Sequence, residues 1–188
     1  MRKAMIVVDM IKGFINQETK NGKCALYLKD ADSIIPAINE VIASLDEDDL
    51  LIFACDCHDH EDKEFERFPP HCIGGTDESL PVDEIDRPKG YFYLPKTRFD
   101  AFYETGLDSI LKTGTKDRVV DEIVVVGVCT DICVFATAMS ASMRDYKVTV
   151  PRRCVFPLDK ERGEQCLQWL ETTAGVVVRG KGPPSTDR

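Results

Sequence analysis

Short apolar runs rich in β-branched residues alternate along this chain with longer stretches of helical spacing. Residues 4–9, 50–55, 91–95, 122–128, 147–150 and 176–179 read as six strands. A run such as Ile123-Val124-Val125-Val126 is apolar on both faces, which suits a parallel strand covered by helices on each side. Ile34, Ile35, Ile38, Val41, Ile42 and Leu45 recur at the spacing of one helix face and predict a helix over residues 32–45. Pro36 falls in its first turn, where a missing N–H costs little. Residues 131–144 and 159–173 predict two more helices, each opened by an aspartate suited to capping. The pattern therefore predicts a single three-layer α/β/α domain over residues 1–188, with a mainly parallel sheet of about six strands. No internal repeat or linker divides it. Residues 56–88, rich in Pro, Gly, Asp and His, are too long for a plain connection and are expected to carry function.

A chain of 188 residues is long enough to bury one core, and 43% hydrophobic with 30% charged residues is an ordinary globular composition. The net charge of −9 argues against nucleic acid and anionic membranes as partners. After Met1-Arg2-Lys3 the apolar stretch stops at Asp9, too short for a secretory signal, and no apolar run approaches the ~20 residues of a membrane span. Eight cysteines without such a signal read as free thiols in a reducing compartment, so a cytoplasmic location is expected.

In open parallel sheets, ligands bind beyond the carboxyl ends of the strands. That rule selects Asp9 after the first strand, Asp56-Cys57-His58 after the second, Lys96 after the third and Cys129 to Cys133 after the fourth. Taken singly, Asp9 would cap a turn, Lys96 would be a surface lysine, and Cys133 would be a small buried hydrophobe. The context of Val126-Gly127-Val128-Cys129-Thr130-Asp131-Ile132-Cys133 changes this, because it sets Cys133 in the first turn of a helix, where free N–H groups favour a thiolate. An unperturbed thiol is only ~3% ionised at pH 7. A nearby Lys96 ammonium would raise that fraction, and Asp9 would take the proton as general base. The three histidines, His58, His60 and His71, all lie within one short segment, so no distant histidine is available to form a Cys–His dyad.

Asp9, Lys96 and Cys133, in this order, resemble the triad of the isochorismatase-like cysteine hydrolases. Val8-Asp9-Met10 with Phe14 downstream, Lys96-Thr97-Arg98-Phe99-Asp100-Ala101-Phe102, and Gly127 through Cys133 are similar to that family's motifs. The resemblance covers nearly the whole chain and implies a parallel sheet between helices, in agreement with the periodicity. Within the family, Asp56-Cys57-His58 and Phe68-Pro69-Pro70-His71 look like the nicotinamidase/pyrazinamidase branch, which carries a metal site. The resemblance implies Asp56, His58, Glu64 and His71 as metal ligands, with His60 competing for the place of Glu64. Carboxylate and imidazole donors suit a divalent metal, Zn²⁺ first, with Mn²⁺ or Fe²⁺ as alternatives.

The same resemblance implies a ring pocket lined by Phe14, Phe68 and Tyr103, an oxyanion hole from the backbone N–H groups of Cys129 and Cys133, and a cis peptide between Val128 and Cys129. The activity it implies is hydrolysis of nicotinamide to nicotinate and ammonia through a Cys133 thioester, as in NAD salvage. The alternatives are a metal-independent amidase or ureidohydrolase of the same family and, from another class, a non-catalytic metal or redox protein using Cys129 and Cys133. The spacing of those two cysteines is not the Cys-x-x-Cys of redox motifs. Expected partners are a small-molecule amide and further copies of the same chain in a homo-oligomer, with neither nucleic acid nor membrane.

Overall fold

The computed structural model describes residues 2–88, 90–112 and 119–180; the other positions of the expected 1–188 domain lie outside the described residues. Among the described residues, the main sheet comprises β1 (Arg2–Val8), β2 (Leu50–Asp56), β3 (Phe92–Lys96), β4 (Val120–Val128), β5 (Lys147–Pro151), β6 (Val155–Phe156) and β7 (Val177–Arg179). Their order is β3-β2-β1-β4-β5-β7, with β6 beside β4, and every pairing is parallel. The six expected strands are present with ends shifted by one or two residues. The seventh, β6, was not expected, because two residues after a 3₁₀ turn at Arg152–Cys154 carry no readable period.

The helices are α1 (Lys12–Ile15), α2 (Ile35–Ala43), α3 (Leu107–Leu111), α4 (Phe135–Ser142) and α5 (Lys160–Thr172). Successive side chains of a strand leave opposite faces, and β1 does so. Ala4, Ile6 and Val8 pack with Leu107 of α3, Ala138 of α4 and Leu170 of α5. Met5 and Val7 pack with Phe14 of α1 and Ile35, Ile38 and Ile42 of α2. The sheet thus lies between two helical layers, which is why β1 and β4 read as apolar on both faces.

Local chemistry sets the helix starts. A 3₁₀ turn at Ala31–Ile34 leads into α2, with Pro36 in the first turn as expected. Asp159 caps α5 by accepting from the Arg162 N–H at 2.8 Å. The expectation for Asp131 is corrected. The segment ahead of α4 winds as a π-helical turn, Thr130–Val134, and the Asp131 carboxylate leaves its own helix to accept from the Leu158 N–H at 2.8 Å and to pair with Arg162 at 3.0 Å. It thereby ties the turn after β4 to the start of α5.

The strand order reverses between β1 and β4, so their carboxyl ends open a crevice. These two strands also approach unusually closely. Gly127 lies opposite Val8 in register, has φ of +113°, and a Cβ there would sit 2.0 Å from the Val8 carbonyl oxygen. Only glycine fits.

Candidate active site

Asp9 is the first residue past β1 and adopts φ of 53°, a left-handed turn that Asp tolerates better than most residues. Its N–H donates to the Ala54 carbonyl at 2.9 Å, and its side chain turns into the protein, fully buried. One carboxylate oxygen accepts from the Asp56 N–H at 2.9 Å, and the other pairs with Lys96 Nζ at 2.8 Å. Asp56 and Lys96 end neighbouring strands β2 and β3 and are partners in register, so their side chains leave the sheet on the same side and form a second ion pair. One buried ammonium therefore joins two buried carboxylates. Cys133 Sγ completes the group, within 4.8 Å of a carboxylate oxygen of both Asp9 and Asp56.

Burial governs the protonation of this group. It pushes the Asp9 carboxyl up to about 7, with Asp56 adding repulsion and Lys96 offsetting part of it. Burial would lower Lys96, but the charges of Asp56 and Asp9 hold it well above the usual lysine range. Burial also pushes the Cys133 thiol well up, over the opposing pull of Lys96. Burial thus works against the thiolate expected at a helix start, while the Lys96 charge works for it. Cys129, which follows a cis peptide, and Cys133, within the π-helical turn Thr130–Val134, both line one cavity.

A second cluster adjoins the first. Asp56, His58 and His71 offer one donor atom each, all within 4.8 Å of one another and all buried. The backbone arranges this: the His58 N–H donates to the Cys72 carbonyl at 3.0 Å and the Gly74 N–H to the His58 carbonyl at 2.9 Å, which clips the His71 segment beside β2. Phe65 packs edge-on against both imidazoles. His71 Nδ1 bonds the Pro69 carbonyl at 2.9 Å and His58 Nδ1 bonds Asp62 at 3.1 Å, leaving both Nε2 atoms turned toward Asp56. His58 Nε2 and Glu64 Oε2 are buried without a hydrogen-bond partner. Buried polar atoms left without a partner are costly unless something occupies the space between them. One carboxylate, two imidazoles and a second nearby carboxylate fit a divalent transition metal. Burial raises the Glu64 carboxyl, and Asp56 adds to the effect. His60, the competing ligand from the sequence, is exposed and stands outside the cluster.

The two clusters meet in a cavity of about 250 Å³, whose wall includes Asp56, Glu64, His71, Cys129 and Cys133. Phe14 and Phe68 line it as expected, but Tyr103 does not. The turn at Asp100 directs Ala101 and Phe102 into the core and leaves Tyr103 half exposed outside. Phe99, Tyr27 and Leu158 are among the other residues of the wall. The sequence reading missed them, and it also missed Asp62 and Arg98. For Asp62 a signal existed, since it follows His58 by four residues and precedes Glu64 in a capping position.

The family model described as Isochorismatase domain matches residues 3–181. The chain is 30% identical to an uncharacterized isochorismatase family protein, PncA, of Bacillus subtilis (strain 168), over 95% of this chain and 99% of that one. Among solved structures it is similar to a pyrazinamidase/nicotinamidase from Streptococcus mutans UA159, with TM-score 0.81, 31% identity, and 94% and 99% of the two chains covered. It is also similar to the pyrazinamidase of Pyrococcus horikoshii in complex with zinc, with TM-score 0.82, 27% identity, and 95% and 99% covered.

Proposed function

The chain belongs to the isochorismatase family, and from that premise we propose that it is a nicotinamidase, a hydrolase that converts nicotinamide to nicotinate and ammonia in NAD salvage. The observation that carries this reading is the composition of the cavity. Cys133 and the metal-type donors share one small chamber whose remaining wall is apolar and aromatic, with no Lys or Arg lining it among the described residues. At about 250 Å³ it lies just below the ~300 Å³ at which drug-sized pockets begin, so it suits one small ring with a carboxamide. A ureido acid would bring a free carboxylate into a wall that, among the described residues, offers it no lysine or arginine.

In the proposed mechanism Cys133 is the nucleophile, Asp9 the base and acid, and Lys96 a fixed positive charge. Asp9 takes the thiol proton as sulfur attacks the carboxamide carbon, and the backbone N–H groups of Cys129 and Cys133 receive the developing oxyanion. Collapse breaks the C–N bond while Asp9 returns the proton to the departing nitrogen, releasing ammonia and leaving a thioester on Cys133. Asp9 then takes a proton from water, the hydroxide attacks the thioester, and the C–S bond breaks to give the carboxylic acid and the free thiol. Lys96 stays protonated throughout, because two carboxylates hold its proton. Asp56, His58, His71 and Glu64 would hold one divalent metal, zinc first. When bound, the metal would supply a positive pole for the substrate's pyridine nitrogen.

The test is ammonia release from nicotinamide, pyrazinamide and a carbamoyl amino acid under the same conditions. The reading expects kcat/KM for the two aromatic amides to exceed that for the carbamoyl compound at least a hundredfold. The reverse order would replace it with the metal-independent amidase or ureidohydrolase.

A further inference from the structure

The two ring nitrogens of His58 have different surroundings. Nε2 is buried on the side of Asp56, while Nδ1 meets a carboxylate oxygen of Asp62 at 3.1 Å. Asp62 is itself held from two further directions. Its Oδ1 accepts from the Glu64 N–H at 2.8 Å, which caps the 3₁₀ turn Lys63–Glu66. Arg98, two residues past Lys96, reaches both of its oxygens, at 2.8 and 3.1 Å. The Asp62 carboxylate is 6% exposed and Arg98 35%, so the cation covers the carboxylate from the solvent side.

An ionised carboxylate only accepts hydrogen bonds, so a neutral His58 facing it must carry its proton on Nδ1. That tautomer leaves the Nε2 lone pair free on the side of Asp56 and His71. Through the cap, the same carboxylate also fixes the backbone from which Glu64 enters the cavity. We propose that Asp62, held by Arg98, is the positioning residue of the metal centre: it selects the His58 tautomer that can ligate and seats the turn that carries Glu64. This rests on the metal-binding reading of the four donors. His71 receives the equivalent support from the Pro69 carbonyl, which no side-chain substitution removes. Asp62 is therefore the second-nitrogen partner that mutagenesis can change.

The test is Zn²⁺ affinity of the full-length protein, stripped of metal and titrated in competition with a chromophoric chelator, alongside thermal melting of the metal-free form. Asp62→Asn is the informative variant. Its amide oxygen can still cap the Glu64 N–H, since Asn caps as well as Asp. Its NH₂ group then faces Nδ1 and forces the proton onto Nε2, where it blocks ligation. The expected result is a loss of Zn²⁺ affinity of about tenfold to a hundredfold, with the melting of the metal-free protein close to wild type. A role limited to capping would leave Zn²⁺ affinity unchanged in Asp62→Asn, and that result would overturn the proposal. Arg98→Ala should also weaken Zn²⁺, and the double variant should lose no more than Asp62→Asn alone, because both act through one carboxylate. Additive losses would remove Arg98 from the arrangement. If Asp62→Asn fails to fold, wild-type affinity in Arg98→Ala would overturn the proposal. A wild-type protein that binds no Zn²⁺ would defeat the metal reading itself, which a Zn²⁺-binding wild type with an unaffected Asp62→Asn would not.

Discussion

At the scale of single residues, Asp9 and Cys133 form an acid–base pair whose members are both pushed toward their neutral forms by burial. A proton passing from sulfur to carboxylate therefore moves within a site that charges neither group cheaply, and Lys96 supplies the compensating charge. Cys133→Ala should reduce turnover by a factor of about a thousand or more, the order that such nucleophiles contribute, with thermal melting little changed. Cys129→Ala should be mild, since only its backbone is asked to act; a comparable loss in both would displace Cys133 as nucleophile. Asp9 must be ionised to accept the thiol proton, and its carboxyl is pushed up to about 7. Accordingly kcat/KM should fall about tenfold per pH unit below an acid limb near pH 7. That limb should move down when a divalent cation offsets the charge of Asp56, and a metal-free profile flat down to pH 5 would mean that burial does not raise the Asp9 carboxyl.

At the scale of elements, the site depends on how closely β1 and β4 approach. Asp9 leaves the end of β1 and Cys129–Cys133 follow the end of β4, and Gly127 sets their separation against Val8. Gly127→Ala adds a methyl group 2.0 Å from a carbonyl oxygen at a positive φ, so the strands must part. The expected cost is about 3 kcal/mol or more in urea unfolding, with a loss of activity beyond that of the unfolded fraction. Gly175→Ala is the matched control. It also has positive φ, 69°, but its Cβ would meet nothing within 4 Å, so about 1 kcal/mol is expected. Equal effects at the two positions would mean that the β1–β4 contact does not govern the site.

At the scale of the whole molecule, two helical layers exclude water from the sheet, and the cavity opens where the strand order reverses. Its wall brings Cys133, from the turn after β4, together with the metal-type donors Asp56, at the end of β2, and Glu64 and His71 beyond it. Among the described residues no helix is long and apolar enough to cross a membrane. In the proposed mechanism Asp9, Lys96 and Cys133 provide base, charge and nucleophile, so the proposed metal would hold the ring rather than make hydroxide. Measured with metal present and after chelation, nicotinamide should lose affinity about tenfold to a thousandfold, the range of a bond worth a few kcal/mol. Benzamide, lacking the ring nitrogen, should be a poor substrate under both conditions. Equal metal dependence for the two amides would contradict the holding role.

Periodicity in the sequence determined the α/β architecture, because burial on both faces of a parallel sheet leaves continuous apolar runs at β1, β2 and β4, and a helix face leaves its own spacing in Ile35, Ile38 and Ile42. The rule that ligands sit at carboxyl strand ends was enough to single out Asp9, Asp56, Lys96 and Cys133 before any geometry was available. Tertiary structure alone decided what spacing along the chain does not encode. The π-helical turn sent Asp131 to α5 rather than to its own helix, and the turn at Asp100 pointed Tyr103 outward while Phe99 entered the cavity. Tertiary structure also set the surroundings of Cys133, where burial raises the thiol against the field of one ammonium that two carboxylates already share. The reach of Arg98 across to Asp62 was decided in the same way, since it joins residues from separate segments whose meeting depends on the pairing of β2 with β3.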